Sequence, residues 1–170
     1  MTSVRTKISL AALVAGALVS FALLAAPGGA EARGKASNAL RAISTARATA
    51  PGRAYDIESE RRGRAAFWEV KVSTAAGAVE VIVSGNGRKA LSHRSLARPD
   101  KEARWVRSTP VSLATAVRTA AGEAAGRFDE AELDREDGRL VWSASFGSGP
   151  SEIEIEVDAQ SGRVVGSDDD

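Results

Sequence analysis

Residues 139–165 read RLVWSASFGSGPSEIEIEVDAQSGRVV. Trp142, Ala144 and Phe146 alternate with Ser143 and Ser145; Ile153, Ile155 and Val157 alternate with Glu152, Glu154 and Glu156. Strict period-2 alternation puts the apolar side chains on one face of a sheet and the glutamates on the other. Gly147, Gly149 and Pro150 predict a turn between the two runs. The stretch is therefore a hairpin with one apolar face, and a hairpin alone does not hold, so something must cover that face.

The cover lies just upstream. Ser112 can cap a helix whose stripe is Leu113, Ala116, Val117, Ala120 and Ala124, ended by Gly126. The same order occurs earlier in the chain. Residues 34–50 predict a helix with Asn38 as a plausible cap and a stripe of Ala39, Leu40, Ala42, Ile43 and Ala46, stopped by Pro51-Gly52. Strands follow at Ala54–Glu60, Ala65–Thr74 and Ala78–Ser84, with turns at Gly63, Gly77 and Gly85-Asn86-Gly87.

The two halves match at an offset of 74 residues: Asn38 with Ser112, Ile43 with Val117, Gly52-Arg53 with Gly126-Arg127, and Trp68 with Trp142. Val79, Glu80, Val81 and Val83 match Ile153, Glu154, Ile155 and Val157. Internal repetition of caps, core positions and turns predicts an α+β fold of two tandem units. Each unit is one helix packed on a three- to four-stranded antiparallel sheet, with short fourth strands at Arg88–Leu91 and Arg163–Gly166. The divisions are a leader at 1–32, a first unit at 33–91, a linker at 92–109 and a second unit at 110–170 with an acidic tail. Units this small bury little and need mutual support.

Several residues carry a resemblance. The Ser112-Leu113 helix start, the Trp142-centred strand and the closing Val157-Asp158-Ala159-Gln160-Ser161-Gly162-Arg163-Val164 resemble the PepSY domain. The second repeat fits better than the first, where Gly85-Asn86-Gly87-Arg88 replaces the usual Asp-Ala ending. The resemblance spans roughly 38–91 and 112–166. It implies an exported or membrane-associated protein, and a role in restraining peptidases, since such domains occur in propeptides of thermolysin-like metallopeptidases. It implies no catalytic residues.

Met1 to Ala32 reads as an export signal, with Arg5 and Lys7 at its start, an apolar run at 8–26, and Ala30-Glu31-Ala32 as an A-x-A cleavage site. The run is also close to the length of a membrane span, so the alternative is an uncleaved anchor with the remainder facing outside. Cysteine is absent, and His93 is the single histidine. These facts exclude a disulfide framework and a cysteine nucleophile, and they argue against a histidine-based metal site or triad. No cofactor or metal is expected. Ser92, Ser95 and Ser108 have no His–Asp partner set, and the terminal Asp168-Asp169-Asp170 reads as a solvated tail.

The net charge of +1 conceals a reversal: residues 33–107 carry a net +9 and residues 108–170 a net −9. Arginines of the first unit are therefore expected to face carboxylates of the second, with head-to-tail self-association as the alternative. Arg61-Arg62-Gly63-Arg64 is basic, but the export signal argues against a nucleic-acid partner.

One anomaly marks a candidate partner-binding site. In the first unit the outward face carries Phe67 and Ile82 among Glu69, Lys71 and Glu80. Either linker residues such as Leu96 or Trp105 fold over them, or they form a docking patch with Trp105 beside it. The strands at Ala54–Glu60 and Phe128–Asp134 are expected to be open edges. The expected function is a non-enzymatic protein-binding module that inhibits or regulates a secreted or cell-envelope peptidase. The alternative is an envelope sensor or ligand-binding protein for a small molecule or cation.

Overall fold

The structure is a computed structural model that describes residues 29–124, 126–147 and 149–169. The expected leader core at 8–26 lies outside these residues. Helix α1 (Gly29–Thr49) is followed by strands β1 (Gly52–Arg62), β2 (Ala65–Thr74), β3 (Gly77–Ser84) and β4 (Ala90–Ser95). A short helix α2 (Glu102–Trp105) and a 3-10 turn (Val106–Ser108) lead to α3 (Leu113–Glu123). Strands β5 (Phe128–Glu136), β6 (Arg139–Phe146), β7 (Ile153–Asp158) and β8 (Val164–Asp169) complete the order. Among the described residues no helix is long and apolar enough to cross a membrane.

The strands form one eight-stranded antiparallel sheet in the order β4-β3-β2-β1-β5-β6-β7-β8. This corrects the expectation of separate three- to four-stranded sheets. It also overturns the expectation that Ala54–Glu60 and Phe128–Asp134 are open edges. They are the two central strands, joined through the pairs Asp56–Glu132, Ile57–Ala131 and Glu58–Glu130. Over these three pairs each backbone edge satisfies the other, and the outermost strands of the sheet are β4 and β8. Residues 74 apart take up the same pairing: Ile57 opposes Val70, and Ala131 opposes Ala144. The irregularities recur as well. The β1–β2 ladder shifts register between Ala54 and Asp56, and β5–β6 between Phe128 and Glu130. The shift between Ile82 and Val83 in β3–β4 returns between Glu156 and Val157 in β7–β8.

Both long helices lie on one face of the sheet and against each other. Their buried stripes are rich in small side chains: Ala36, Ala39, Ala42 and Ala46 with Ile43 on α1, and Ala116, Ala120 and Ala121 with Leu113 and Val117 on α3. Alanine lets a helix approach the sheet closely. Gly87 shows how closely. Its φ is +74°, and a Cβ there would stand 2.3 Å from the carbonyl oxygen of Asn38. The Thr45 hydroxyl donates to the Gly87 carbonyl at 2.7 Å.

The core is continuous across the junction. Trp68 of β2 packs on Phe128 of β5 with ring centroids 5.9 Å apart, and Phe128 meets Phe146 of β6 edge-on at 5.5 Å. Trp68 and Trp142 are both buried. Each indole N–H donates to a carbonyl, Trp68 to Gly85 at 3.1 Å and Trp142 to Val111 at 3.3 Å. Ser112 caps α3 as expected, accepting from the Thr115 N–H at 3.2 Å. Asn38 does not cap α1, which begins nine residues earlier at Gly29, so the expected cleavage point after Ala32 falls in its first turn. Asn38 instead accepts from Arg41 one turn on.

The stretch read as a linker is partly sheet. His93 lies in β4, which covers Ala90–Ser95 where Arg88–Leu91 was expected. Residues 96–109 then strap the lower end of the outer face. The Leu96 N–H donates to the Ala78 carbonyl at 2.9 Å, and the Ser73 hydroxyl to the Ala103 carbonyl at 2.6 Å. Ala103 and Val106 are buried by it. The acidic end of the chain extends β8 as far as Asp169, well beyond the expected Arg163–Gly166.

The outer face of the sheet as a candidate binding site

The face away from α1 and α3 carries every residue that opposes the apolar set. On β2 these are Phe67, Glu69, Lys71 and Ser73, paired with Ser84, Ile82, Glu80 and Ala78 of β3. The strap from 96 to 109 covers the Ser73 end. It does not reach Phe67 and Ile82, so the expectation that Leu96 or Trp105 folds over them is not met. Phe67 and Ile82 remain half-buried in the floor of an open concavity of about 680 Å³, together with Ala65, Leu91, Arg62 and Arg94. The Arg62 guanidinium lies over the Phe67 ring, 5.6 Å from its centroid.

Trp105 is elsewhere. It sits in α2 between two cations, with Lys101 Nζ and the Arg135 guanidinium each 5.0 Å from the ring centroid. It fastens the strap to the end of β5 through cation–π contacts. Of the three candidate residues, the fold brings together two, Phe67 and Ile82.

The concavity has a built polar wall. Arg94 on β4 donates from Nε to Glu80 Oε1 and from Nη2 to Glu80 Oε2, both at 2.5 Å. This two-pronged pair fixes a buried carboxylate. Burial opposes the charge on Glu80, but hydrogen bonds from Arg94 and Glu69 outweigh it and hold its pKa below the ordinary value. Glu69 shows the reverse. Burial, then its hydrogen bond and charge contact with Glu80, raise its carboxyl to about 7. Below about pH 7 the pair is thus a proton-bearing Glu69 donating to an ionised Glu80. The alternation of Glu69, Lys71 and Glu80 was visible in the sequence. Arg94 was not found, because its stretch has no apolar alternation and reads as linker.

A second, smaller concavity of about 200 Å³ lies over the β1–β5 junction. Asp56, Glu58, Glu130 and Glu132 line it with Lys71. Lys71 Nζ bonds Asp56 at 2.8 Å and lies 3.9 Å from Asp100. Burial raises the Glu130 carboxyl to about 7, with the charges of Glu132 and Glu58 adding to it. Burial likewise raises Asp56, Glu58 and Glu132. At this junction carboxylates of the two halves face one another, which corrects the expected seam of first-half arginines against second-half carboxylates. Charge is not what joins the halves there; backbone pairing and the Trp68–Phe128 core do so.

Of the serines considered, Ser108 donates to the Trp105 carbonyl at 2.9 Å, while Ser92 and Ser95 lie exposed on β4. Among the described residues no three or more His, Asp or Glu side chains are grouped so as to hold a metal ion.

Residues 110–168 match the sequence model of the peptidase propeptide and YPEB domain, PepSY. This segment is similar to the PepSY domain. It comprises α3 and the β5–β8 meander, so Glu130 and Glu132 belong to the PepSY half, while the Phe67 concavity belongs to the other. PepSY domains are in general non-catalytic modules of the propeptide type. No curated protein matches the chain. A crystal structure of a chain described as a lipoprotein from Clostridium difficile 630 is similar at 17% identity and a TM-score of 0.44, covering 74% of this chain and 87% of that one.

Proposed function

We propose that the protein is an exported, non-enzymatic binding module whose partner is a secreted or cell-envelope peptidase, and that the half before residue 92 is a second, diverged PepSY-like unit. The observation that carries the binding reading is the uncovered concavity at Phe67 and Ile82. An apolar floor left open on a face that is otherwise polar suits a protein side chain or loop. On the equivalent face of the PepSY half, the counterpart of Phe67 is Val141, which is buried, and the counterpart of Ile82 is Glu156, so no open apolar floor forms there among the described residues. The paired register shifts 74 residues apart support common descent of the halves. The basic start and apolar run of the leader support export, with an uncleaved anchor at 8–26 as the alternative.

The test is recovery of partners from the exported fraction with the purified protein as bait, followed by peptidase assays. Support is a recovered peptidase whose activity falls as protein is added, and falls much less with Phe67→Glu. If no peptidase responds and a small molecule or cation raises the melting temperature instead, the inhibitor reading gives way to a ligand-binding envelope sensor.

A further inference from the structure

The sheet ends in two different edges. β4 is preceded by Arg88 and Lys89 and carries Arg94; β8 carries Asp168 and Asp169. Among the described residues the large apolar side chains that stand exposed are Leu91 at 54%, Val164 at 38% and Val165 at 44%. All three lie on these two edge strands. Unpaired edges with apolar side chains are what natural sheets normally cover or blunt.

We propose that the occupant of each edge is a second copy of this chain, with β8 of one molecule adding to β4 of the next. Direction supports it. Every ladder in the sheet is antiparallel. In an eight-stranded sheet β4 and β8 therefore run in opposite senses, and a second copy placed beside the first without inversion continues the antiparallel ladder. Charge supports it too. Antiparallel alignment brings the Arg88-Lys89 end of β4 alongside the Asp168-Asp169 end of β8. Pairing β4 with another β4 would instead line Arg88, Lys89 and Arg94 of both copies along one seam, which like charges oppose. Leu91, Val164 and Val165 all fall within the new seam and lose exposure. The contact is heterologous, so it leaves a free edge at each end and does not close at two copies.

Sedimentation of the purified protein over a range of concentrations, at low and high salt, tests this. The mass should grow beyond a dimer with concentration at low salt and shrink at high salt, because exposed charge pairs are screened. Arg88→Glu with Lys89→Glu should weaken association by about tenfold, as should Asp168→Lys with Asp169→Lys. Mixing the two double variants should restore it, since the acidic β8 of one then meets the basic β4 of the other. Circular dichroism of each variant confirms that the fold is retained. The proposal is overturned by a monomer at every concentration and salt, by a dimer that never grows, or by growth that neither charge reversal affects.

Discussion

Glu58 and Glu130 stand directly opposite each other across the β1–β5 ladder, and Asp56 opposes Glu132 two residues away on the same face. Like charges directly opposed in an antiparallel pair are unfavourable. Lys71, bonded to Asp56 at 2.8 Å, offsets part of this repulsion, and burial with the neighbouring carboxylates raises the Glu130 carboxyl to about 7. An acid whose folded pKa lies above its unfolded value binds its proton more tightly in the folded state. It therefore adds stability as pH falls from about 7 towards the ordinary carboxylate range, and that stability is lost as pH rises through about 7. Glu130 and Glu69 both follow this sign. The melting temperature should be higher near pH 5.5 than near pH 8, and Glu130→Gln should raise it at pH 8 and flatten the difference. Glu130 is partly exposed, which limits its gain to about 1 kcal/mol. Thermal melts across a pH series check this; a variant as pH-sensitive as the parent would remove Glu130 from the explanation.

Trp68 and Trp142 should each cost about 3–5 kcal/mol when replaced by alanine, through cavity formation in a core with little room to collapse. Trp68 has a second consequence. It packs on Phe128 from the other half, so Trp68→Ala should lower the stability of the whole sheet in one transition. Urea melts followed by fluorescence of the remaining tryptophans test both points. Two separated transitions would mean that the halves unfold independently.

What could be read from the sequence was what is local. Trp142, Ala144 and Phe146 announce their strand by alternation, and Ser112 announces its cap by preceding an apolar stripe. The β1–β5 pairing was missed because Ile57 and Ala131 lie far apart in sequence and only three residue pairs join the strands. Nothing in either strand marks it as central rather than edge. Asn38 misled because the residues before it continue the helix, which a cap-type residue does not forbid. In the candidate site, Phe67 and Ile82 were legible as apolar residues out of phase with a wet face. Their polar wall was not, because Arg94 meets Glu80 only through the β3–β4 pairing. The position of Trp105 away from Phe67 was not legible, because cation–π contacts to Lys101 and Arg135 leave no periodic trace.

Gly87→Ala should be among the most damaging single changes outside the core. The left-handed φ costs a Cβ-bearing residue about 1–2 kcal/mol, and the new Cβ would meet the Asn38 carbonyl oxygen, the Ala42 nitrogen and the Arg41 side chain of α1. Helix α1 must then shift away from the sheet. Hydrogen exchange should show faster exchange along α1, and along α3 to the extent that it leans on α1. Unchanged protection of α1 would mean that the turn before β4 moves instead.

Glu80→Gln separates the two influences on Glu69. Burial is the larger, and the hydrogen bond and charge of Glu80 add to it. With Glu80 neutral, the charge contribution disappears while burial stays. The Glu69 carboxyl should then titrate below about 7 but still above the ordinary glutamate range. Arg94 loses its carboxylate partner at the same time and becomes free to leave the wall of the concavity. Side-chain carboxyl carbon shifts followed by NMR over a pH series give the Glu69 titration directly. A Glu69 midpoint that does not move would show burial alone to be responsible. A midpoint that falls fully to the ordinary value would show that the outer face is wetter than its half-buried floor suggests, and that a partner docking on Phe67 and Ile82 would have more water to displace.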